Sequence, residues 1–175
     1  MQVRESEQGD LEAIRALHLS VFDESEAAEV SQLSIDLLQD ESALPILSLV
    51  AEEAGEIVGH VIFSAAAVDG VEQELSAYIL APLGVLEGHQ GAGVGTALIQ
   101  RGLALLERRG ADLVFVYGDP NYYSRTGFRQ QDAFSAPSKL SYPDAWQVQW
   151  LKPGLAADAS GAVRCAASLA APELW

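Results

Sequence analysis

The chain has 175 residues, of which 49% are hydrophobic, and a formal net charge of −15 at pH 7. This length predicts a single domain over residues 1–175, and its one cysteine, Cys165, has no partner for an internal disulfide. Such an acidic surface disfavours binding to nucleic acid and to anionic membranes. With no apolar run of the ~20 residues that span a bilayer and no signal-peptide pattern, a cytoplasmic protein is expected.

The first half of the sequence predicts two helices followed by antiparallel strands. A short strand over residues 2–4 precedes a helix that starts near Asp10, and a second helix is predicted over residues 26–39. His18 falls on the apolar face of the first helix, which favours a packed or rim histidine over a ligand. β-Branched residues over 46–52 and 56–65, separated by Ala54-Gly55, indicate a hairpin.

The second half predicts one strand–helix–strand unit and further strands. A strand over residues 74–85 contains Pro82, which must interrupt the hydrogen-bond ladder, and a helix over 96–109 ends at cationic residues and Gly110. A buried strand follows over 113–117, and Asp119-Pro120 predicts the start of a short helix that stops at Gly127. Strands are also expected from Phe128 and over 147–151 and 163–167, and residues 135–144 form a loop. The fold class is therefore α/β or α+β, with a mixed, mostly antiparallel twisted sheet flanked by helices.

The segment from Gln90 to Gly95 joins a strand to a strong helix and contains three glycines. The first turn of a helix leaves backbone N–H groups without partners, and the helix dipole adds partial positive charge there. Glycines allow a close approach of the ligand to the backbone, so the segment predicts an anion site. It has no lysine for a Walker A motif, and its G-x-G-x-G spacing departs from the dinucleotide fingerprint. A tight turn without any ligand remains an open alternative.

Three motifs together resemble the GNAT superfamily of N-acetyltransferases. Gln90-Gly91-Ala92-Gly93-Val94-Gly95 fits its Q/R-x-x-G-x-G/A signature, Pro82-Leu83-Gly84-Val85 looks like its pantetheine-binding strand, and the run from Asp119 to Phe128 is similar to its helix ending in Tyr-x-x-x-Gly-Phe. The resemblance spans residues 2–130. Within the family, the chain resembles a branch with a GDPxYY turn. It implies a sheet whose splayed strand pair forms a slot for acetyl-CoA.

The resemblance also implies roles for individual residues. Backbone groups of the strand would hold the pantetheine arm and an oxyanion, backbone N–H groups of the loop would hold the pyrophosphate, and Thr96 would add a hydroxyl. The expected cofactor-binding residues are Leu83, Gly84, Val85, Gln90, Gly91, Ala92, Gly93, Val94, Gly95 and Thr96. No metal is expected. Many relatives carry a cation at the position of Ala92, so its absence puts the affinity for the cofactor in doubt, and His89 and Glu87 crowd the approach.

Tyr123 lies four residues before Gly127, at the family's general-acid position, so it is predicted to protonate the departing CoA thiolate. Its alternative role is packing of the short helix. The general base stays open among Glu72, Glu74, Asp119, His60 and a chain of waters.

The acceptor is expected to be a primary amine of a small molecule or protein, and the oligomeric state is undetermined, with a homodimer an option. Residues 22–38 and 135–150 are expected to form its pocket. They offer acids and aromatics that suit a cationic amine, although solvation and packing explain the same side chains: Asp23, Glu24, Glu26, Glu29, Phe134, Tyr142, Trp146 and Trp150. Two other functions are a catalytically silent acyl-CoA-binding module and a structural or partner-binding protein.

Overall fold

The computed structural model describes residues 1–152, 154 and 158–175 of the chain. Four helices are formed by Leu11–Val21 (α1), Glu24–Gln39 (α2), Val94–Arg108 (α3) and Pro120–Tyr123 (α4). Nine strands are formed by Gln2–Glu5 (β1), Leu47–Glu53 (β2), Glu56–Asp69 (β3), Ala77–Val85 (β4), Leu113–Tyr117 (β5), Arg129–Gln130 (β6), Phe134–Ser135 (β7), Trp146–Trp150 (β8) and Gly161–Arg164 (β9). Within these residues, no helix has the length and apolarity needed to cross a membrane.

The strands form a mixed sheet in the order β1-β2-β3-β4-β5-β8-β6, with β9 added to the far end of β3 and β7 paired to β9. The β4–β5 and β7–β9 pairs are parallel, and every other pair is antiparallel. Helix α3 packs on one face of the sheet, and α1 and α2 pack on the other. The predicted fold class, a mostly antiparallel mixed sheet flanked by helices, is confirmed.

Strands β4 and β5 separate halfway along β4. Their register runs from Ala77 opposite Leu113 to Leu80 opposite Val116, and β4 continues to Val85 without β5 beside it. At the point of separation the β3–β4 register shifts, between Val61 and Phe63. Pro82 lies in this irregular stretch, where its missing N–H costs no ladder hydrogen bond. The predicted splayed strand pair is therefore present, and it opens a slot beside the second half of β4.

The core is divided by the sheet into two apolar layers. On the α3 side, Leu98 and Leu106 are buried against Phe63 of β3 and Val114 of β5. On the opposite side, Leu37 of α2 is buried against a second layer of strand residues that includes Ile79 and Phe115. Each layer removes large aliphatic and aromatic side chains from water, which is the main favourable contribution to folding. The two layers fix the position of β4, and with it the slot.

Most predicted elements are present with shifted ends. Helix α2 begins two residues before the predicted start, and α3 begins at Val94 rather than Thr96. Strand β3 runs on to Asp69 because its last residues pair with β9, and β4 begins only at Ala77. Phe128 itself is buried just before β6. The predicted strand over 163–167 is wrong in its second half, since the N–H of Ala167 donates to the Ser42 hydroxyl and a helical turn begins there.

Candidate active site

The glycine loop between β4 and α3 borders a cavity of about 500 Å³. Gly91 and Gly93 have φ of 74° and 84°, a left-handed conformation that glycine adopts without the cost of a Cβ. We call this space the loop cavity; it is lined by Leu83, Val85, His89, Gln90, Gly91, Gly93, Val94, Gly95, Thr96, Tyr122 and Arg125. Eight of the ten residues predicted to bind the cofactor therefore line this cavity, and Ala92 is an exposed residue of the same loop.

The loop cavity is rich in backbone N–H groups that lack partners. In residues 1–152, no hydrogen bond uses the N–H of Gly91, Ala92 or Gly93 as donor, and α3 begins at Val94 without a side-chain cap on Gly93. The N–H groups of the first turn of α3 also have no acceptor within the helix. These donors converge at the positive end of a 15-residue helix, which is the arrangement that binds phosphate groups.

Tyr122 closes the loop cavity from the side of α4. A Cβ placed on Gly95 would overlap the hydroxyl of Tyr122, so this glycine lets the phenol lie directly against the start of α3. Burial raises the pKa of Tyr122, and nearby Arg125 opposes the rise. Tyr122 therefore remains a neutral phenol at the wall of the cavity.

The backbone of β4 presents groups to the slot that pair with no neighbouring strand. Leu86 donates its N–H to the carbonyl of Val58 in β3 at 2.9 Å, and backbone groups alternate sides along a strand, so those of Val85 and Leu83 point away from β3. The Val85 carbonyl accepts a hydrogen bond from Nε2 of Gln90 at 3.0 Å. Gly84 differs from its neighbours: a Cβ there would meet Leu17 and His18 of α1 at 2.9–3.0 Å. The structure places Gly84 against α1 and not in the slot.

Arg125 is the cation of the loop cavity, and the sequence reasoning missed it. It follows α4 in the turn Ser124–Thr126 and is exposed at the rim. The signal was its position three residues after Tyr122, because residues i and i+3 of a helical turn lie on the same side. His89 also lines the cavity, and its Nε2 lies 3.1 Å from a carboxylate oxygen of Glu53.

Tyr123 faces a second cavity. Its ring packs edge-on against Tyr122 and Phe128, with centroids at 5.0 and 5.8 Å, and a Cβ on Gly118 would overlap it. Its hydroxyl has no hydrogen-bond partner in the described part of the chain. Burial raises the pKa of Tyr123, and Tyr122 adds to the rise, so the phenol carries its proton at neutral pH.

This second cavity, which we call the aromatic cavity, has a volume of about 370 Å³. It is lined by Phe22, Glu26, Glu29, Val30, Leu33, Ile79, Leu80, Ala81, Pro82, Leu83, Tyr117, Tyr123, Leu169, Glu173, Leu174 and Trp175. None of the ion pairs found among the described residues involves its three carboxylates. Leu83 lines both cavities, so they lie next to each other at this residue of the slot.

The structure brings the residues expected to form the acceptor pocket together only in part. Phe22, which follows α1, and residues of α2 line the aromatic cavity, and its other wall is the segment from Leu169 to Trp175 instead of residues 135–150. Phe134 and Trp146 are buried in the core around Phe115, and Tyr142 is 73% exposed. A C-terminal segment without periodicity gave no signal for this role. It is held by the Asp40 carboxylate, which accepts hydrogen bonds from the N–H and hydroxyl of Ser168 at 2.9 and 2.7 Å.

The four residues considered as the general base lie outside both cavities. Glu72 and Glu74 border other surface depressions, and the Asp119 carboxylate caps α4 through the N–H of Asn121 at 2.9 Å. His60 is fully buried in β3, where its two ring nitrogens contact His18 and Ser48. His18 is therefore packed, as expected, but against a second histidine.

Comparison with known proteins agrees with the geometry. Residues 2–130 match the family model of the acetyltransferase (GNAT) domain. The chain is 36% identical to the uncharacterized N-acetyltransferase YjhQ of Escherichia coli strain K12 over 167 residues, 92% of this chain and 90% of that protein.

Solved structures are similar over nearly the whole length. The GNAT family N-acetyltransferase YhbS from Escherichia coli, crystallised with CoA, has a TM-score of 0.83 at 30% identity and covers 94% of this chain and 88% of its own. A GNAT family acetyltransferase from Brucella melitensis in complex with acetyl-CoA has a TM-score of 0.74 at 28% identity, with coverage of 96% and 97%. Fold, glycine loop and sequence similarity together show that the chain belongs to the GNAT superfamily of N-acetyltransferases.

Proposed function

We propose that residues 1–175 act as one domain that transfers the acetyl group of acetyl-CoA to a primary amine by direct attack. The observation that carries this proposal is the meeting of the loop cavity and the aromatic cavity at Leu83, with Tyr122 beside one and Tyr123 beside the other. Direct transfer requires two substrates side by side, and each cavity suits one of them.

The loop cavity suits the pyrophosphate of acetyl-CoA. Its N–H groups from Gly91 to Gly95 donate to no acceptor within the described residues, and phosphate oxygens accept from several such donors at once. Arg125 supplies the positive charge that the position of Ala92 lacks, and Thr96 supplies a hydroxyl. Two similar structures hold CoA and acetyl-CoA, which supports the same ligand here.

The exposed backbone groups of Leu83 and Val85 suit the amides of the pantetheine arm. An extended arm beside β4 would continue the sheet where β5 has turned away, in the manner of an added strand. The side-chain amide of Gln90 now donates to the Val85 carbonyl, so the arm would replace that hydrogen bond. An N–H from this stretch would then stabilise the oxyanion that develops on the acetyl carbonyl.

The aromatic cavity suits an amine. Glu26, Glu29 and Glu173 give it negative potential that attracts an ammonium ion, and the faces of Phe22, Tyr117 and Trp175 can contact the cation or its apolar body. The acceptor class that these walls favour is a cationic primary amine with an apolar portion.

Tyr123 provides the proton for the leaving group. The amine attacks after losing its ammonium proton, the C–N bond forms, and the C–S bond breaks as the Tyr123 phenol gives its proton to the thiolate sulfur. The proton that nitrogen loses on collapse returns through solvent to the phenolate oxygen. One proton is released per amide bond formed.

Calorimetry with acetyl-CoA, followed by a thiol-release assay across a panel of primary amines, tests the proposal. The panel should contain a phenylalkylamine, a polyamine, an aminoglycoside and a lysine peptide. We expect binding of acetyl-CoA and turnover with at least one amine. Binding of acetyl-CoA without turnover of any amine would instead support a silent acyl-CoA-binding module. If acetyl-CoA does not bind at all, the glycine loop is only a tight turn without a ligand.

A further inference from the structure

The aromatic cavity has an apolar floor and an acidic mouth. Its floor consists of apolar side chains that are at most 9% exposed: Leu33, Ile79, Leu80, Leu169 and Trp175. Three carboxylates also line the cavity, and all three belong to exposed residues, Glu26, Glu29 and Glu173. None of the described side chains that line it is cationic. The negative charge of the cavity is therefore concentrated at its solvent-facing edge, which we call the mouth.

The mouth carries these carboxylates on two separate walls. Glu26 and Glu29 are three residues apart on α2, so their side chains are neighbours on one face of the helix. Glu173 lies in a single helical turn of the C-terminal segment. That segment is held by Trp175, whose ring stacks on that of Tyr117 with centroids 5.9 Å apart. The three carboxylates are thus presented to the mouth by two different elements of the fold.

The nitrogen that attacks must lie where the two cavities meet. Acetyl transfer needs a neutral amine at the acetyl carbonyl, beside Leu83 and Tyr123. The wall next to them is formed by Leu80, Ala81 and Pro82, and such apolar surroundings lower the pKa of a bound amine. A carboxylate paired with this nitrogen would raise its pKa and oppose the loss of its proton. Three carboxylates that form no ion pair among the described residues therefore suit another group of the acceptor, one that stays positive.

We propose that the acceptor is a diamine or polyamine whose second ammonium ion is held at the mouth by Glu26, Glu29 and Glu173. Its first amine reacts beside Leu83 and Tyr123. The methylene chain between the two nitrogens lies on the apolar floor, where it is removed from water, and the cavity volume of about 370 Å³ leaves room for such a chain. This inference rests on the proposed function and names the substrate class of the same site.

The second ammonium ion also selects which nitrogen reacts. Two positive charges on one short chain repel each other, so the first of the two protons is lost more easily than from a monoamine. The carboxylates stabilise the charge at the mouth, so the inner nitrogen is the one that loses its proton. This nitrogen forms the C–N bond as the C–S bond breaks, and the thiolate receives the proton of Tyr123. The product is a monoacetylated diamine that keeps one positive charge.

A single acetylation is the expected end point. The free amine of the product can reach Tyr123 only if the chain binds in the reverse direction, which places the neutral amide at the mouth. An amide forms no ion pair with the three carboxylates, so the second acetylation loses their contribution. Mass spectrometry of the products from putrescine should find the monoacetylated form accumulating before any diacetylated form. Diacetylated product that appears without this delay would overturn the proposal.

A series of acceptors that differ only in the charge of the far group tests the mouth directly. Putrescine, 4-aminobutanol and 4-aminobutanoate share a primary amine and a chain of four carbons, and their far groups are positive, neutral and negative. We expect kcat/KM to be highest for putrescine and lowest for 4-aminobutanoate, with the difference carried by KM. The differences should shrink at high salt, because ions screen exposed charges.

The intrinsic reactivity of the three amines differs, so the decisive quantity is how a variant changes their ratio. The mouth variant combines three isosteric substitutions at exposed positions, Glu26→Gln, Glu29→Gln and Glu173→Gln. It should lower the ratio of kcat/KM for putrescine to that for 4-aminobutanol by about tenfold relative to wild type. A control variant removes three exposed charges that line neither cavity, through Glu12→Gln, Glu56→Gln and Glu107→Gln. Its ratio should equal that of the wild type. An unchanged ratio in the mouth variant, or an equal fall in the control variant, would overturn the proposal.

Calorimetry in the presence of saturating CoA gives a second measurement that needs no turnover. Putrescine should bind the wild type more tightly than 4-aminobutanol does, and the mouth variant should lose this difference. Wild-type protein that turns over no amine would refute acetyl transfer, and the two affinities would still decide whether the mouth holds a cation. Turnover and binding that do not depend on the charge of the far group would leave acetyl transfer intact and overturn the diamine acceptor.

Discussion

The loop cavity and the aromatic cavity are built from different parts of the polypeptide. The loop cavity presents backbone N–H groups of consecutive residues, arranged by glycines at positive φ and by the start of α3. The aromatic cavity presents side chains from five separate parts of the chain, including α2, β4 and the C-terminal segment. A backbone-built site tolerates changes of side chain but not the addition of a Cβ, whereas a side-chain-built site changes its preference with each substitution.

This difference explains how evolution could vary one substrate and keep the other. The acetyl donor meets groups that every residue type supplies, provided that the glycines stay. The amine meets carboxylates and aromatic rings that single substitutions can replace. We therefore expect substitutions to separate cleanly into effects on acetyl-CoA binding and effects on the acceptor.

The largest expected effect is at the junction of the two cavities. Tyr123→Phe removes the phenolic proton donor and should lower kcat by about 10²-fold, with acetyl-CoA affinity unchanged, because Tyr123 faces the aromatic cavity. Thiol release and calorimetry measure the two quantities. Tyr142→Phe, which removes an exposed hydroxyl, is the matched control. Unchanged turnover in Tyr123→Phe would remove its assigned role.

A smaller effect is expected from adding one methyl group to the loop cavity. Gly95→Ala places a Cβ against the hydroxyl of Tyr122 and should weaken acetyl-CoA binding about tenfold, which corresponds to ~1.4 kcal/mol. The KM for the amine should stay the same. Gly88→Ala is the control, since no atom lies within 4 Å of its added Cβ. Equal acetyl-CoA affinities in the two variants would contradict a backbone-built site.

Side-chain charge should contribute less than the backbone to the loop cavity. Arg125→Gln removes one charge-assisted contact with phosphate and should weaken acetyl-CoA binding about fivefold at low salt, with a smaller loss at high salt because ions screen an exposed pair. Calorimetry at two ionic strengths measures this. Arg101→Gln, an exposed change of equal charge on α3, controls for net charge. A loss independent of salt would argue that Arg125 acts by packing.

The smallest effects are expected from single carboxylates of the aromatic cavity. Exposed ion pairs stabilise by ~0.2–1 kcal/mol, so Glu26→Gln or Glu29→Gln should raise the KM for a cationic amine about two- to fivefold. Acetyl-CoA affinity should not change. Steady-state kinetics at saturating acetyl-CoA measure the effect, and Glu12→Gln on the exposed face of α1 is the control. If neither Glu26→Gln nor Glu29→Gln changes the KM for the amine, the amine is held by the aromatic side chains alone.

What the sequence could predict follows the same division. The strand entering the glycine loop, α3, and the turn with Tyr123 are encoded locally, by glycine spacing, a proline and an N-cap aspartate, so each could be predicted from a short window. The splayed β4–β5 pair was implied by family resemblance and is visible in the register. The second half of the aromatic cavity depends on the fold of the C-terminal segment, which Asp40 holds through Ser168 from 128 residues away.

Contacts between residues so far apart in the sequence leave no periodic pattern from which they could be predicted. The aromatic residues Phe134 and Trp146 were weighed for the acceptor pocket because of their chemistry, but burial against Phe115 decides their position. The contact between His18 and His60 joins residues 42 positions apart, and no pattern in the sequence predicted that the two side chains would meet. The side-chain-built features were therefore those that sequence reasoning placed least well.

The affinity of a bisubstrate conjugate, in which CoA is joined through an acetyl bridge to the most active amine, tests most directly whether the two cavities act as one site. Occupying both cavities at once should make the conjugate bind at least ~10²-fold tighter than CoA alone, and Glu26→Gln should weaken the conjugate without affecting CoA. A conjugate that binds no tighter than CoA would show that the amine does not enter the aromatic cavity, and would contradict the account.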